Sequence, residues 1–168
     1  FLRDPSAYHG EKNKRPFFEG WYHKLVTGDG QSLAIIPGIY RSGFNNNQTA
    51  FIMIFDGDKG DVFYERFEVQ QFSCSTSSYS LHIGSNYFSS EKIILDIESE
   101  TLTIKGQVTA DNLKPWPVTL FEPGCMGWYA YVPTMECFHG ILSMDHTLDG
   151  EIEFNGSNYD FVGGRGYI

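Results

Sequence analysis

Positive charge is scarce in this 168-residue chain: 12 Lys and Arg stand against 21 Asp and Glu, for a net charge of −9. A nucleic-acid surface needs a basic stripe to neutralise phosphates, and no stretch of the sequence provides one, so nucleic acid is excluded as a partner. The acidic excess serves solubility. Cysteine is sparse too. Cys74, Cys125 and Cys137 are an odd number at irregular spacing, which makes no disulfide framework and fits a reducing compartment, the cytoplasm. No apolar run approaches the roughly 20 residues that cross a bilayer as a helix, so no transmembrane segment is expected and any membrane contact would be peripheral. Amphipathic helices, internal repeats and low-complexity linkers are missing as well.

What is present argues for strands. Hydrophobic residues make up 41% of the chain and aromatics 16%, too much apolar surface for a disordered polymer. The length suits one domain over residues 1–168, able to bury roughly two-thirds of its unfolded surface. Turn signals recur at short intervals: Gly28-Asp29-Gly30, Asp56-Gly57-Asp58, Gly84-Ser85-Asn86, Asp149-Gly150 and Asn155-Gly156. Between them, Leu102, Ile104, Gly106 and Val108 alternate with polar residues, the pattern of a half-exposed antiparallel strand. Residues 51–55 are apolar on both faces and predict a central or covered strand. The fold class is therefore all-β, an antiparallel sheet that hides its edges by closing into a barrel or half-barrel.

The chemistry-bearing residues concentrate in two places. In Phe17-Phe18-Glu19-Gly20-Trp21-Tyr22-His23, period-two alternation puts Glu19, Trp21 and His23 on one face. Turned inward, Glu19 is a desolvated general acid; turned outward, it is a solvated strand-end charge. The second concentration lies in residues 124–168, where Trp128, Tyr129, Tyr131, Glu136, His139, Asp145, Asp160 and Arg165 gather among glycines. Residues 137–146 read as one strand with His139, Ile141, Ser143 and Asp145 on a face. His139 and Asp145 then stand roughly 20 Å apart, at about 3.3 Å per residue, and cannot pair directly. Glu136 falls at a rim where loops converge, either as an acid or polar anchor or as the carboxylate partner of Arg165. Cys125, Cys137, His139 and His146 have no zinc-ligand spacing, so no metal is expected. Asp56-Gly57-Asp58-Lys59-Gly60-Asp61 has Asp61 where a calcium loop needs glycine, and reads as a turn. Cys74, in a serine-rich turn, has no visible activator and is no nucleophile.

Taken together, Tyr8-His9-Gly10, Phe17-Phe18-Glu19-Gly20-Trp21-Tyr22-His23-Lys24, Ala34-Ile35-Ile36-Pro37-Gly38 and Gly127-Trp128-Tyr129-Ala130-Tyr131-Val132-Pro133-Thr134-Met135-Glu136-Cys137 resemble the tocopherol cyclase family. The resemblance implies a lipocalin-like β-barrel that binds a small hydrophobic ligand, a prenylated quinol or similar lipid. It also implies closure of the quinol to a chromanol by acid catalysis, without a cofactor. Glu19 or Glu136 would supply the proton, Trp21, Trp128 and Tyr131 the aromatic faces, and Asp145 or Asp160 the group that orients a quinol hydroxyl, with His139 as relay. Tyr22, Tyr129 and Arg165 would complete the substrate contacts. The family pattern runs on past Tyr167 into a second β-rich half, so a homodimer or a separate C-terminal half is expected to complete the protein. Two other readings use the same composition: a non-catalytic lipid or isoprenoid carrier, and a carbohydrate-binding or structural β-domain.

Overall fold

The structure, a computed structural model, describes residues 4–10, 16–42, 47–132 and 137–168. Thirteen strands and two short 3-10 turns make up its regular structure. The first five strands are β1 (Phe17–Gly20), β2 (His23–Val26), β3 (Ser32–Arg41), β4 (Gln48–Asp56) and β5 (Val62–Phe67). The 3-10 turn Val69–Gln71 leads into β6 (Phe72–Cys74), β7 (Ser80–Ile83), β8 (Asn86–Ser89), β9 (Lys92–Glu98) and β10 (Thr103–Asp111). A long connection follows, holding the 3-10 turn Gly127–Tyr131, before β11 (His146–Phe154), β12 (Ser157–Asp160) and β13 (Gly164–Tyr167).

All pairings are antiparallel, and the path β5-β4-β3-β2-β13-β11-β10-β9-β8-β7-β6 curls into a nearly closed barrel. The ends of the path, β5 and β6, are consecutive in sequence and meet around the Val69–Gln71 turn. Contacts across the interior join distant strands: Phe63 of β5 meets Phe154 of β11 edge to face at 5.4 Å, and His23 of β2 lies 5.9 Å from Phe88 of β8. The alternation read from sequence gives each strand its inner face. In β9, Ile93, Leu95 and Ile97 are buried while Asp96 and Glu98 are exposed, and in β10 Ile104 and Val108 are buried. Each such Ile or Leu stabilises the fold by about 1.5–3 kcal/mol. The β4 strand, apolar on both faces, is flanked by β3 and β5 as expected.

Two long strands carry split partners, and these splits position the site. The β3 strand pairs with β1 through Gly38–Arg41 and with β2 through Ser32–Ile35, so β1 and β2 form one bent strand broken at Trp21 and Tyr22. The bend brings backbones close: a Cβ on Gly38 would lie 2.7 Å from the Glu19 carbonyl oxygen and 2.5 Å from the Phe51 ring. In the same way β11 pairs with β13 at its start and with β12 at its end.

The structure corrects three sequence expectations here. Residues 137–145 are not a strand, and β11 begins only at His146. The backbone of this stretch is hydrogen-bonded elsewhere: the amides of Leu142 and Ser143 donate to the Ile168 carbonyl, and that of Met144 to the Lys114 carbonyl. Asp149-Gly150 is not a turn but the middle of β11, where Gly150 (φ 126°) opposes Val108 and lies too close to the Gln107 carbonyl for any side chain. Of the aromatics that the sequence makes available to line a barrel mouth, Phe18, Tyr22, Trp116, Trp128 and Tyr129 are exposed instead. By contrast, Asn155-Gly156 is the expected hairpin turn. Both residues take positive φ (47° and 78°), the conformation of a two-residue type I′ loop.

Candidate functional site

Period-two alternation runs unbroken through the bend between β1 and β2. It sends Glu19, Trp21 and His23 to the inner face and Tyr22 and Lys24 outward. Most of the sequence-predicted residues that the structure describes fall in two places, one at the barrel end and one on the outer wall.

At the barrel end, the Trp21 ring is buried and stacks on Tyr79 at 5.1 Å, with the planes 17° apart. Behind it, His23 Nε2 is hydrogen-bonded to the Tyr79 hydroxyl at 2.5 Å. Burial, reinforced by His146, pushes the His23 pKa down to about 3, so the imidazole is neutral at ordinary pH. Burial also raises the Tyr79 phenol well above its usual range, with Cys74 and Tyr87 adding to the effect. His146, buried and bonded to Ser143 Oγ at 3.0 Å, is likewise lowered, mainly by burial. The outermost member of this row, Glu19, retains 17% side-chain exposure and pairs with His9: Oε1 meets Nδ1 at 2.8 Å, and Oε2 accepts the His9 amide at 3.0 Å. Cys74 completes the cluster. Burial and the Glu19 carboxylate push its thiol up to about 12, which agrees with its being no nucleophile.

Tyr8 covers this end of the barrel. Its ring is buried against Phe17 (6.3 Å), Trp21 (6.5 Å) and Phe72 (5.4 Å), with the Arg41 guanidinium 5.9 Å over its face. Arg41, Phe72 and Tyr79 are members of the cluster that the sequence reasoning did not single out, while Tyr8 and His9 entered it only within a motif of the resemblance, with no role assigned. Tyr79 had a local signal, since an aromatic side chain amid Ser75, Ser77, Ser78 and Ser80 is out of place in a solvent-exposed turn.

The second place is the outer wall at β2 and β13, over which the connection from β10 to β11 folds. Tyr22 and Tyr167 meet edge to face at 6.2 Å. Arg165 Nε donates to Asp145 Oδ1 at 2.8 Å, its NH2 group bonds Oδ2, and Lys114 Nζ reaches Oδ2 at 2.7 Å. Those two cations hold the Asp145 carboxyl below the usual aspartate range. Arg165 is thus the partner of Asp145, while Glu136 lies outside the described residues. His139 is exposed; its amide donates to Met126 Sδ at 3.1 Å, and its carbonyl accepts the Cys125 thiol at 3.5 Å. Trp128 and Tyr131 form a ring pair at 5.6 Å, and the Tyr131 hydroxyl donates to the Leu120 carbonyl at 2.8 Å. Trp128 and Tyr129 are each 67% exposed. Asp160 joins neither group: it lies exposed on β12 and accepts the Val162 amide at 2.9 Å.

The outer wall also carries an open groove of about 160 Å³ lined by Lys24, Val26, Arg165, Gly166 and Tyr167. A larger groove of about 410 Å³ runs between Tyr40, Thr49, Tyr64 and Arg66. Among the described residues no cluster of three or more His, Cys, Asp or Glu is placed to hold a metal, and no helix is long and apolar enough to cross a membrane.

Fold and geometry define the class: an antiparallel β-barrel with an aromatic box and a carboxylate–imidazole pair at one end. No family model, curated protein or solved structure matches the chain.

Proposed function

We propose that this chain is a tocopherol cyclase-like protein that binds a prenylated quinol or a similar hydrophobic ligand at the barrel end. The observation that carries the reading is the packing of Tyr8, Phe17, Trp21, Phe72 and Tyr79 rings beside the Glu19–His9 pair. Ring faces suit an aromatic head and an alkenyl tail, and they stabilise a carbocation. The adjacent carboxylate and imidazole suit proton transfer.

The same arrangement supports chromanol closure, which is an isomerisation. A proton adds to the trisubstituted alkene, the resulting tertiary cation is captured by the phenol oxygen, and the phenol proton leaves. No electron changes hands. Glu19 is the donor, His9 returns the proton to it, and Trp21 faces the cation. One observation favours the carrier reading instead: both Glu19 oxygens are already engaged by His9. The exposed Trp128 and Tyr129 rings favour the third reading, stacking on a sugar.

One experiment separates the three. A short-chain prenylated hydroquinone is added to the purified chain while tryptophan fluorescence reports binding and chromatography reports a chromanol of unchanged mass. Quenching with chromanol formation that Glu19→Gln abolishes, binding being retained, supports the cyclase. Quenching without product identifies the carrier. Quenching by oligosaccharide alone overturns both. Native mass spectrometry of the same sample reports whether two copies pair.

A further inference from the structure

The connection from β10 to β11 gathers three sulfur atoms around one residue, His139. Its amide donates to Met126 Sδ at 3.1 Å and its carbonyl accepts the Cys125 thiol at 3.5 Å, so its backbone is held on both sides. The third sulfur meets the ring: Cys137 Sγ lies 3.7 Å from His139 Nε2. In a strand, side chains two positions apart stand roughly 7 Å from each other. Residues 137–145 form no strand, and thiol and imidazole close to hydrogen-bonding distance. Water reaches all three polar groups, since Cys125 and His139 are exposed and Cys137 is half-buried. Among the described residues no further His, Cys, Asp or Glu completes a metal cage here. Cys74 is the opposite case, with burial and the Glu19 carboxylate both opposing its ionisation.

We propose that Cys137, His139 and Cys125 form a thiol oxidation site, at which a hydroperoxide oxidises Cys137 and Cys125 resolves the product as a disulfide. An accessible thiol beside a base, with a second thiol at hand, is the arrangement that such chemistry needs. The Cys137 thiol passes its proton to His139 Nε2, and the sulfur attacks one oxygen of the O–O bond. The other oxygen leaves and takes that proton from the imidazolium, departing as an alcohol, or as water from hydrogen peroxide. Sulfur loses two electrons, the peroxide gains them, and Cys137 becomes a sulfenic acid. The Cys125 thiol then attacks that sulfur; the S–S bond forms and the sulfenic oxygen leaves as water. A disulfide brings its two Cα atoms within about 7 Å of each other. Among the described residues no ladder joins the two stretches, only the side-chain bonds to His139, so the connection can close without breaking a sheet. No group at the barrel end takes part, and the proposal stands apart from the ligand reading.

The test treats the reduced chain with equimolar hydrogen peroxide at neutral pH and reads its peptides by mass spectrometry. The expected product is a Cys125–Cys137 disulfide that dithiothreitol reverses, with Cys74 still a free thiol. In Cys125→Ser, dimedone should trap Cys137 as the sulfenic acid. A free thiol is only a few per cent ionised at neutral pH, so the base can speed the step by at most about thirtyfold. His139→Gln in the Cys125→Ser background should therefore slow trapping by about tenfold at neutral pH, and the difference should vanish at alkaline pH, where thiols ionise unaided. Slowing by the same factor at both pH values marks a structural role for His139 and overturns the base. Oxidation of Cys137 no faster in the folded wild type than in urea overturns the site without recourse to any variant. Wild type that accumulates dimedone-trapped Cys137 and no disulfide overturns the role of Cys125.

Discussion

Acid should unfold this barrel through His23. The imidazole is 1% exposed, bonded to Tyr79 and packed beside Phe88, and burial and His146 push its pKa down to about 3 from the ordinary 6.5. Because the folded-state value is depressed, the unfolded chain binds the proton first. The stability His23 contributes is complete above pH 6.5 and is lost as the pH falls from there towards 3. The slope is about 1.4 kcal/mol per pH unit, so between about pH 7.5 and about pH 4.5 His23 alone removes about 3 kcal/mol, a large share of a small domain's stability. His146, also lowered by burial, acts in the same direction. Urea unfolding across this range, compared with His23→Gln, isolates the term. Glutamine keeps a hydrogen-bonding group opposite the Tyr79 hydroxyl but cannot titrate, so its stability should fall less steeply by about 1.4 kcal/mol per pH unit. In the folded wild type the His23 ring signals should remain those of the neutral imidazole down to about pH 4. Equal slopes, or a His23 ring that titrates near 6.5, would refute the argument.

Gly166→Ala should destabilise the barrel by about 2–4 kcal/mol in the same assay, because a Cβ there runs into the buried His146 ring. Asn155→Ala should cost about 1–2 kcal/mol by removing the 2.8 Å acceptor of the Thr103 amide and placing alanine at φ 47°. Arg165→Gln should raise the Asp145 pKa towards the ordinary aspartate value, read by carboxyl NMR titration, since one of the two cations holding it down is gone. Iodoacetamide at neutral pH should alkylate exposed Cys125 well before Cys74, whose thiol is pushed up to about 12; peptide mass spectrometry in native buffer and in urea checks the order, and Cys74 should react readily only in urea.

The local pattern was legible wherever strands alternate. That Glu19, Trp21 and His23 share one face, and that Leu102, Ile104 and Val108 share another strand's apolar face, follows from a period of two, which needs no knowledge of neighbouring strands; that the first row turns inward came from the structure. The same rule failed over residues 137–145, where alternation is present but the ladder is not. There the amides of Leu142, Ser143 and Met144 find acceptors at Ile168 and Lys114, far away in sequence. Asp149-Gly150 misled for a related reason. A glycine after aspartate marks a turn when only the local chain is considered, yet Gly150 is required by the backbone of Gln107, its neighbour across the strand.

The sequence by itself determined the all-β class, the alternating faces around residues 19–23 and 102–108 and the hairpin at Asn155-Gly156, because these depend on side-chain alternation and on the dihedral preferences of single residues. Only the tertiary structure decided the company each residue keeps. It placed Tyr79 from a serine-rich turn against Trp21 and His23, gave Arg165 to Asp145, and seated Tyr8 beneath Arg41. The Tyr79 contacts come from closing the sheet into a barrel and the other two from segments outside the strands folding onto it, and no period within the chain encodes which residues will meet.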